Sequence, residues 1–575
     1  MSIVATPVRD ETFLFKPNAS GALSVCVVYP NRYAVGMANL GFQAVFRILA
    51  TTPGLVAERA FLAEENDRPG RSMESGRSLA EFDIIAFSLS FEADYPSIVR
   101  LLDAAGIPAR ADDRRTGRRE WPLVIAGGPA TFLNPEPVAP FFDLILIGEG
   151  EEMIPEAFEG AVEAAGKGTA ALLDSMSTVQ GAYRPDWYEP SYDDDSRLAA
   201  FTPVAGAPAR VNRRYLKILD SAPVTTSIVA PDSVFGEHFL VEASRGCEWG
   251  CRFCAAGYMY RPVRHRSSEG VARDAEAGLA HAKTIGLVGA EMASHPGIAS
   301  TCERITAAGG RPSPSSLKAD QISPRLAAAV AGAGTRSVTV APEAGSERMR
   351  RFINKNLNED EILRAAELMV GDGVESLKLY FMCALPTETQ ADLDGIVDLV
   401  GLVRERLMVH GKRRGRVGRI KVSLNPFVPK PWTPLQWDPM EGVSSIQKKI
   451  GRLRRSFGRM PNVELDADSP REAYLQTLLS RGDRRTATVV EALAREGGED
   501  WWGLLKDMRK GGRAEVGIDP DRFVHREFGT DELLPWDFID HHIDKSYLLL
   551  ERKRAIADRE TEPCDVATCR TCGAC

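Results

Sequence analysis

Three cysteines in one short stretch constrain this chain more than any other feature of its sequence. Cys247, Cys251 and Cys254 are spaced C-x3-C-x2-C within the stretch RGCEWGCRFC. Three closely spaced thiolates can bind three irons of a [4Fe-4S] cube and leave the fourth iron open, whereas an electron-transfer cluster normally uses four cysteines. An open iron predicts chemistry at the cluster. The alternative is a zinc site that a distant fourth ligand completes.

The composition is that of a globular protein with several domains. The chain has 575 residues, of which 44% are hydrophobic and 26% charged, and a chain of this length can bury more than one core. No apolar run reaches the roughly 20 residues that span a bilayer, and the N-terminus lacks the pattern of a signal peptide. We therefore expect a cytoplasmic protein with no membrane partner.

Cysteine usage also favours a reducing compartment. Seven of the ten cysteines fall into two tight groups, which indicates metal binding rather than a disulfide scaffold. The isolated residues Cys26, Cys302 and Cys383 are interpreted as small hydrophobic side chains.

The charge balance does not indicate a nucleic-acid partner, although it leaves one open. There are 71 basic and 79 acidic residues, and the net charge is −8. Two local basic runs, at residues 412–416 and 452–459, are interpreted as solvated loop or helix faces.

Alternating apolar and amphipathic stretches predict a doubly wound parallel sheet over residues 22–165, after an N-terminal extension at 1–21. Ligands of such sheets bind at the carboxyl ends of the strands. The predicted strands are residues 23–29, 84–90, 123–126 and 144–147, and the predicted helices include 40–49 and 98–105.

A second alternating set predicts a partial (β/α)6 barrel over residues 236–440, whose strand ends carry the site as in complete barrels. Residues 166–235 show little periodicity and predict an extended connector. A mostly helical region at 441–560 and a Cys-rich tail at 561–575 follow. The six predicted barrel strands are residues 239–243, 284–288, 314–318, 337–341, 376–381 and 420–424.

The cysteine triplet, with the aromatic Phe253 just before its last cysteine, resembles the signature of the radical S-adenosylmethionine (SAM) enzymes. The resemblance implies that SAM chelates the open iron and is cleaved reductively to a 5'-deoxyadenosyl radical. It further implies cofactor-binding roles for residues at the strand ends, which are Phe253, Glu291, Ser316, Glu343 and Ala384. The sequence departs from the family pattern at two places, because Ala384 itself and Ala290, next to Glu291, stand where glycine is usual.

Other residues near these positions carry open alternatives. The arginines Arg245, Arg261, Arg264 and Arg266 are expected to hold the cofactor carboxylate, to shield sulfides, or to pair with glutamates. Ser346 is expected to be a helix N-cap. The proline-rich loop around Trp432 is either a rigid lid or a strap between domains, and residues 481–485 either bind an anionic substrate or form a salt-bridged helix start.

The loops of the N-terminal region look like those of the cobalamin-binding domain that precedes many radical enzymes, including the element Gly148-Glu149-Gly150-Glu151. The D-x-H-x-x-G motif that ligates cobalt is absent, since the first histidine of the chain is His238. Cobalamin would then bind without a histidine from this domain; the alternative is a degenerate scaffold or a substrate-binding domain. The predicted cobalamin-binding-like positions are Asn31, Gly36, Ser88, Gly127, Gly128 and Gly148.

The tail cysteines Cys564, Cys569, Cys572 and Cys575 are spaced C-x4-C-x2-C-x2-C. The compact spacing resembles a ferredoxin-type run and predicts an auxiliary iron-sulfur cluster, with structural zinc or a flexible metal-scavenging tail as alternatives.

Taken together, the chain resembles a radical SAM family with an N-terminal cobalamin (B12)-binding-like domain and a cysteine-rich C-terminus, whose reaction is not settled. The resemblance implies a cobalamin-dependent methyltransferase that needs an unknown substrate and a reductant such as flavodoxin or ferredoxin. One alternative is a methylthiotransferase that modifies RNA or protein, because residues 427–433 resemble that family's loop. Those enzymes carry three cysteines in the N-terminal domain, however, and this chain has Cys26 alone there. A third hypothesis is a non-catalytic iron-sulfur protein that binds RNA or senses redox state.

Overall fold

The computed structural model describes residues 10–64, 68–117, 119–204, 206–332, 334, 337–371, 373–413, 415, 418–512 and 517–575. The first nine residues of the predicted extension, and Arg414 and Arg416 of the basic run, lie outside these ranges. In the described part of the chain, no helix combines the length and the apolar character needed to cross a membrane.

The N-terminal region is a six-stranded sheet with helices on both faces, in the strand order β3-β2-β4-β5-β6-β7. Neighbouring strands are parallel except β7, which runs antiparallel to β6 at one edge. This confirms the predicted doubly wound sheet. The elements are β1 (Thr12–Phe13), β2 (Leu23–Val28), α1 (Tyr33–Met37), α2 (Leu40–Thr51), β3 (Leu55–Ala60), β4 (Ile84–Ser88), α3 (Tyr95–Ala104), α4 (Ala111–Thr116), β5 (Leu123–Gly127), α5 (Pro129–Leu133), β6 (Leu144–Leu146), α6 (Gly150–Glu163), α7 (Thr169–Met176) and β7 (Ala182–Tyr183).

Residues 166–235 differ from the extended connector that the sequence predicts. Helix α7 and strand β7 complete the N-terminal sheet, and an antiparallel hairpin follows. The sequence shows little periodicity here because these elements are short. They are β8 (Tyr188–Tyr192), β9 (Leu198–Pro203), β10 (Val211–Asn212) and β11 (Ile228–Val229).

The second region is a curved parallel sheet of seven strands among the described residues, one more than predicted. It consists of the three strands β12-β15-β16 and the four strands β17-β18-β19-β20, which a parallel bridge between Leu317 and Val340 joins. The elements are β12 (His238–Glu242), β13 (Ser244–Arg245), α8 (Ala256–Met259), β14 (Arg264–His265), α9 (Ser268–Gly278), β15 (Thr284–Val288), α10 (Ile298–Ala307), β16 (Arg311–Pro314), α11 (Pro324–Gly332), β17 (Ser337–Glu343), α12 (Glu347–Phe352), α13 (Glu359–Gly371), β18 (Ser376–Cys383), α14 (Gln390–Arg413), β19 (Arg419–Pro426), α15 (Val443–Phe457) and β20 (Val463–Ala467).

The third barrel strand is shifted from its predicted place. The prediction was residues 314–318, but β16 ends at Pro314, so Ser315, Ser316 and Lys318 lie in the loop that follows it. The strand has the sequence Arg-Pro-Ser-Pro, which offers no apolar run to recognise.

The C-terminal helices connect the two sheets. Asn134 of the N-terminal region donates to the carbonyls of Ser480 (3.0 Å) and Gly482 (2.7 Å), and Arg484 pairs with buried Glu136 at 3.0 Å. Residues 481–485 therefore agree with the prediction of a salt-bridged helix start rather than with that of an anion-binding segment. The elements are α16 (Pro470–Arg481), α17 (Thr486–Ala492), α18 (Trp501–Arg509), α19 (Asp521–Val524), β21 (Ile539–Asp540) and α20 (Lys545–Ile556).

The two faces of the N-terminal sheet belong to different cores. Val25 and Val27 of β2 pack with α2 and α6 in one cluster of buried residues. Cys26 and Val28, which point to the opposite face, belong to the cluster that also contains the barrel and the C-terminal helices. One face of the N-terminal sheet thus shares its core with the rest of the chain.

A buried ion pair joins all three regions. Lys430 of the proline-rich loop donates to Glu92, after β4, at 2.6 Å, and the Ser480 hydroxyl of α16 donates to the same carboxylate at 2.7 Å. Burial acts to raise the pKa of Glu92, but the charge of Lys430 and the hydrogen bonds outweigh it and hold the pKa below its ordinary value. The proline-rich loop is therefore a strap between domains.

We expect Glu92→Gln to lower the free energy of unfolding by about 3 kcal/mol at neutral pH, because it leaves the Lys430 ammonium buried without a counter-charge. The folded-state pKa of Glu92 lies below its unfolded value, so its contribution is complete above the unfolded pKa and is lost as the pH falls through the folded pKa. Urea unfolding of both proteins at pH 7 and near pH 4 checks this. Glu303→Gln, which removes an exposed pair with Arg325, is the matched control and should change stability by less than about 1 kcal/mol. An equal deficit of E92Q at both pH values would contradict the assignment.

Candidate cluster and cofactor site

The three cysteines lie on a tight loop between β13 and α8. The backbone N–H of Cys254 donates to the carbonyl of Cys251 at 3.0 Å, and Gly246 and Gly250 turn the chain with φ of 85° and 62°. All three thiols are partly buried. In the described ranges, no three His, Cys, Asp or Glu side chains converge as ligands of a single metal ion would; in a cubane each thiolate binds a different iron.

Burial raises the pKa of the Cys251 thiol to about 11 and that of Cys247 further. Both thiols are therefore protonated at neutral pH before metal binds, and iron must displace their protons.

Two buried ammonium groups lie near these thiols. Lys355 pairs with Glu343 at 3.3 Å, and Lys318 lies 3.8 Å from the ring centroid of Trp249 and 2.7 Å from Asp320. Both lysines interact electrostatically with Cys251 and act to lower its pKa. The two ammonium groups would therefore interact favourably with a negatively charged cluster bound by these thiols. Sequence reasoning missed Lys355, because it lies a hundred residues from the cysteines.

The predicted cofactor residue Glu291 stabilises its own loop through hydrogen bonds. Its carboxylate accepts the backbone N–H groups of Ala293 (2.7 Å), Ser294 (2.8 Å) and Lys318 (3.1 Å). The predicted residue Ser316 takes part in the same loop pairing, since its carbonyl accepts from the N–H of Met292 at 2.8 Å. Both residues fix the loops after β15 and β16 beside the cysteines.

Two further predicted cofactor residues lie at strand ends, since Glu343 is the last residue of β17 and Ala384 follows β18. Glu343 and Ala384 have φ of 68° and 62°, which is the left-handed region that glycine adopts most easily. The Ala384 N–H donates to Glu388 at 2.9 Å. Phe253 packs against a cluster of buried side chains at the ends of β18 and β19, which includes Met382, Leu385 and Phe427. Ser346 is the N-cap of α12, as predicted, and accepts the N–H of Met349.

A cavity of about 550 Å³ lies between the two sheets. The carboxyl ends of β4, β5 and β6 form one side, and Glu242, Ser244 and the 288–290 turn of the barrel form the other. One part of it is a slot between α2, α6 and the N-terminal sheet. The slot is lined by Ala44, Val45, Ile48, Leu49, Ala86, Ile125, Leu146, Met153, Ile154 and Phe158.

Four of the six predicted cobalamin-binding-like positions line this cavity, namely Ser88, Gly127, Gly128 and Gly148. Asn31 and Gly36 lie outside the lining. The Asn31 side chain donates to Asp94 at 2.8 Å, and Gly36 packs so close to Phe61 that an added Cβ would lie 2.5 Å from its ring. The apolar slot was not predicted, because the sequence pattern of its residues is that of ordinary core-facing helices and strands.

Three of the four arginines near the cysteines are used by carboxylates. Arg266 pairs with Asp274 at 2.6 Å. Arg245 pairs with Glu149, Glu151 and Glu242 at 2.7–2.8 Å, and Arg264 pairs with Glu149 at 2.8 Å. The fourth, Arg261, has no carboxylate within 4.0 Å among the described residues. The pairs of Arg245 and Arg264 connect the predicted Gly-Glu-Gly-Glu element to the barrel and fix one side of the cavity.

The comparisons with known proteins agree with this site. Residues 41–185 match the family model described as radical SAM proteins, N-terminal, and residues 241–400 match the model described as the radical SAM superfamily. An uncharacterised protein of Methanocaldococcus jannaschii is 27% identical over 473 residues, which are 81% of this chain and 90% of that protein.

Two solved structures are similar in parts. The radical SAM methyltransferase TsrM from Kitasatospora setae, with tryptophan and a SAM analogue bound, has 13% identity, covers 74% of this chain and 76% of its own, and gives a TM-score of 0.47. The cobalamin-dependent radical SAM enzyme OxsB, with aqua-cobalamin and SAM bound, has 14% identity, coverages of 93% and 79%, and a TM-score of 0.46.

The two family models together span more than half of the chain, and the cysteine triplet falls inside the second of them. The chain therefore belongs to the radical SAM superfamily, whose cofactors are a [4Fe-4S] cluster and SAM.

Proposed function

We propose that this protein is a cobalamin-dependent radical SAM methyltransferase that acts on an unknown substrate. The observation that carries the proposal is the cavity, which runs from the strand ends of the N-terminal sheet to the barrel strand that leads into the cysteine loop. One continuous space of this kind can hold a large cofactor against a radical source.

When bound, the cluster and SAM supply the 5'-deoxyadenosyl radical, and methylcobalamin supplies a methyl group for an unactivated carbon. The residues of this chain hold and orient these groups. Cys247, Cys251 and Cys254 would hold the cluster, and the ammonium groups of Lys318 and Lys355 would lie beside its negative charge. Phe253 and the turn at Ala384 would border the SAM adenine.

The cavity fits a cofactor with a large apolar part. Its slot is walled by apolar side chains of α2 and α6, which would exclude water from a group bound between them. Because Gly127, Gly128 and Gly148 have no side chain, a bound cofactor can approach the backbone closely at the rim of the cavity. At Gly148 (φ 136°) an added Cβ would lie 2.2 Å from the carbonyl oxygen of Arg214, so this turn depends on glycine.

The donor set fits cobalamin without a lower histidine ligand. The chain contains no histidine before His238, and the polar side chains of the cavity are carboxylates, hydroxyls, the Asn39 amide, one arginine and Tyr260. A low-potential reductant of the flavodoxin or ferredoxin class, together with a reducing compartment that keeps the thiols free, completes the requirements.

Replacing any one of Cys247, Cys251 and Cys254 by alanine should abolish the formation of 5'-deoxyadenosine, because a cluster without one of its three thiolates does not assemble with an open iron. Anaerobic assays with SAM and dithionite measure it. Cys302→Ala, at an isolated buried cysteine, is the control and should retain activity. Deoxyadenosine formation by any of the three variants would contradict the assignment of these cysteines as ligands of the cluster that cleaves SAM.

Replacing Ala44 by phenylalanine should weaken corrinoid binding at least tenfold, because the ring would occupy the slot that Ala44 lines. Spectroscopic titration with hydroxocobalamin under anaerobic conditions measures this. The wild-type spectrum should lack the shift that histidine ligation produces. Thr51→Phe, at the exposed end of the same helix, should bind as the wild type does. The cobalamin part of the proposal fails if wild-type protein binds no corrinoid, while deoxyadenosine formation tests the radical SAM part separately.

A further inference from the structure

The four tail cysteines come together beside the cysteine loop. The thiols of Cys564, Cys569, Cys572 and Cys575 lie close enough to interact electrostatically with one another and with Arg261. The backbone N–H of Cys564 donates to the carbonyl of Glu248 at 2.8 Å, one residue after Cys247. The tail is thus docked on the loop that carries the other three thiols.

Two buried side chains fix this docking. Asn354 donates to the carbonyls of Trp249 and Thr561, each at 3.2 Å, and accepts the Thr561 N–H at 2.8 Å. Arg252, from inside the cysteine loop, donates to the carbonyl of Arg559 at 2.6 Å and pairs with Glu551 at 3.2 Å. The same two residues therefore hold the cysteine loop and the segment that leads into the tail.

Arg261 lies between the loop and the tail thiols. It is 4% exposed, its Nε donates to the carbonyl of Gly257 at 2.8 Å, and its Nη1 donates to the hydroxyl of Tyr547 at 3.4 Å. Its Nη2 lies 3.2 Å from where a Cβ on Gly250 would stand. Within the described ranges it makes no ion pair, whereas Arg245, Arg264 and Arg266 each do.

A buried guanidinium without a counter-charge is expensive, and such groups are normally paired. Neutral thiols do not provide that charge, but four thiolates on a metal centre do. Arg261 therefore lacks a counter-charge that the tail would supply only when its thiolates bind metal.

We propose that Cys564, Cys569, Cys572 and Cys575 bind a second [4Fe-4S] cluster, with Arg261 as its buried counter-charge. Four cysteines saturate the four irons of a cube, so this cluster has no open iron and does not bind SAM. Cys575 is exposed and Cys564 touches the cysteine loop, so the second cluster lies between solvent and the first.

The test uses the full chain with all three cysteines of the loop replaced (C247A/C251A/C254A), which leaves the tail as the remaining cluster ligand set. After anaerobic reconstitution we expect about four iron and four sulfide per chain, and an electron paramagnetic resonance signal on reduction that SAM does not change. Wild-type protein should hold about eight irons and C564S/C569S/C572S/C575S about four. Cys302→Ala should keep the wild-type count.

Iron content also separates this proposal from the proposed function, because it does not depend on SAM cleavage or on cobalamin. Zinc in place of iron in the loop variant, or no bound metal in a variant with wild-type circular dichroism, would overturn the second cluster. So would a wild-type Mössbauer count of four irons per chain.

Arg261 is tested in the same loop variant. Arg261→Gln should lower the reduction potential of the tail cluster, because the guanidinium stabilises the more negative, reduced cluster more than the oxidised one. Arg261→Lys keeps the charge and should stay closer to the parent. Equal potentials for R261Q and its parent would overturn the counter-charge role.

Discussion

The position of the cavity depends on one buried carboxylate. Glu149 follows β6 of the N-terminal sheet and accepts two hydrogen bonds from Arg264 (2.8 and 2.9 Å), one from Arg245 (2.7 Å) and the N–H of Leu216. Its two arginine partners lie on the two short strands that flank the cysteine loop. Removal of one member of a buried pair leaves an uncompensated charge and destabilises by about 3–5 kcal/mol. This network therefore holds the two sheets in one orientation, with their strand ends facing a common space.

The same constraint explains why the N-terminal sheet and the barrel are not separate bodies joined by a linker. The connector residues Arg213 and Leu216 lie inside the network, with the Arg213 guanidinium fully buried 3.8 Å from Glu149. Val224, further along the connector, lines the cavity. A segment predicted to be only an extended connector thus contributes to the wall of the cavity. The C-terminal helices close the assembly from the other side through Lys430, Glu92 and Ser480.

The sequence predicted most strands within two residues because parallel strands buried on both faces are continuous apolar runs. It missed β3, which contains Glu58 and Arg59. Arg59 is tolerated because Glu11 and Glu74 pair with it at 2.7 and 2.6 Å from elsewhere in the chain, and Glu58 because Arg77 pairs with it at 3.4 Å. The cysteine triplet could be recognised because its ligands are adjacent in sequence. Lys355, Asn354 and the tail docking could not, because their partners are brought together by tertiary structure alone.

The barrel strand ends store backbone strain around the proposed SAM site. Glu343, Ala384 and Trp432 have φ of 68°, 62° and 59°, and the left-handed conformation costs a non-glycine residue about 1–2 kcal/mol. Each is held by a specific partner: Lys355 for the Glu343 carboxylate, Glu388 for the Ala384 N–H, and Gln436 for the Trp432 N–H. Such strain persists only where the surroundings fix the conformation more than once, and it gathers at sites that orient ligands. The alanine at 384, where the family pattern has glycine, is therefore compatible with the same turn: the Glu388 hydrogen bond offsets the strain, and the added methyl group lies buried rather than in the cavity.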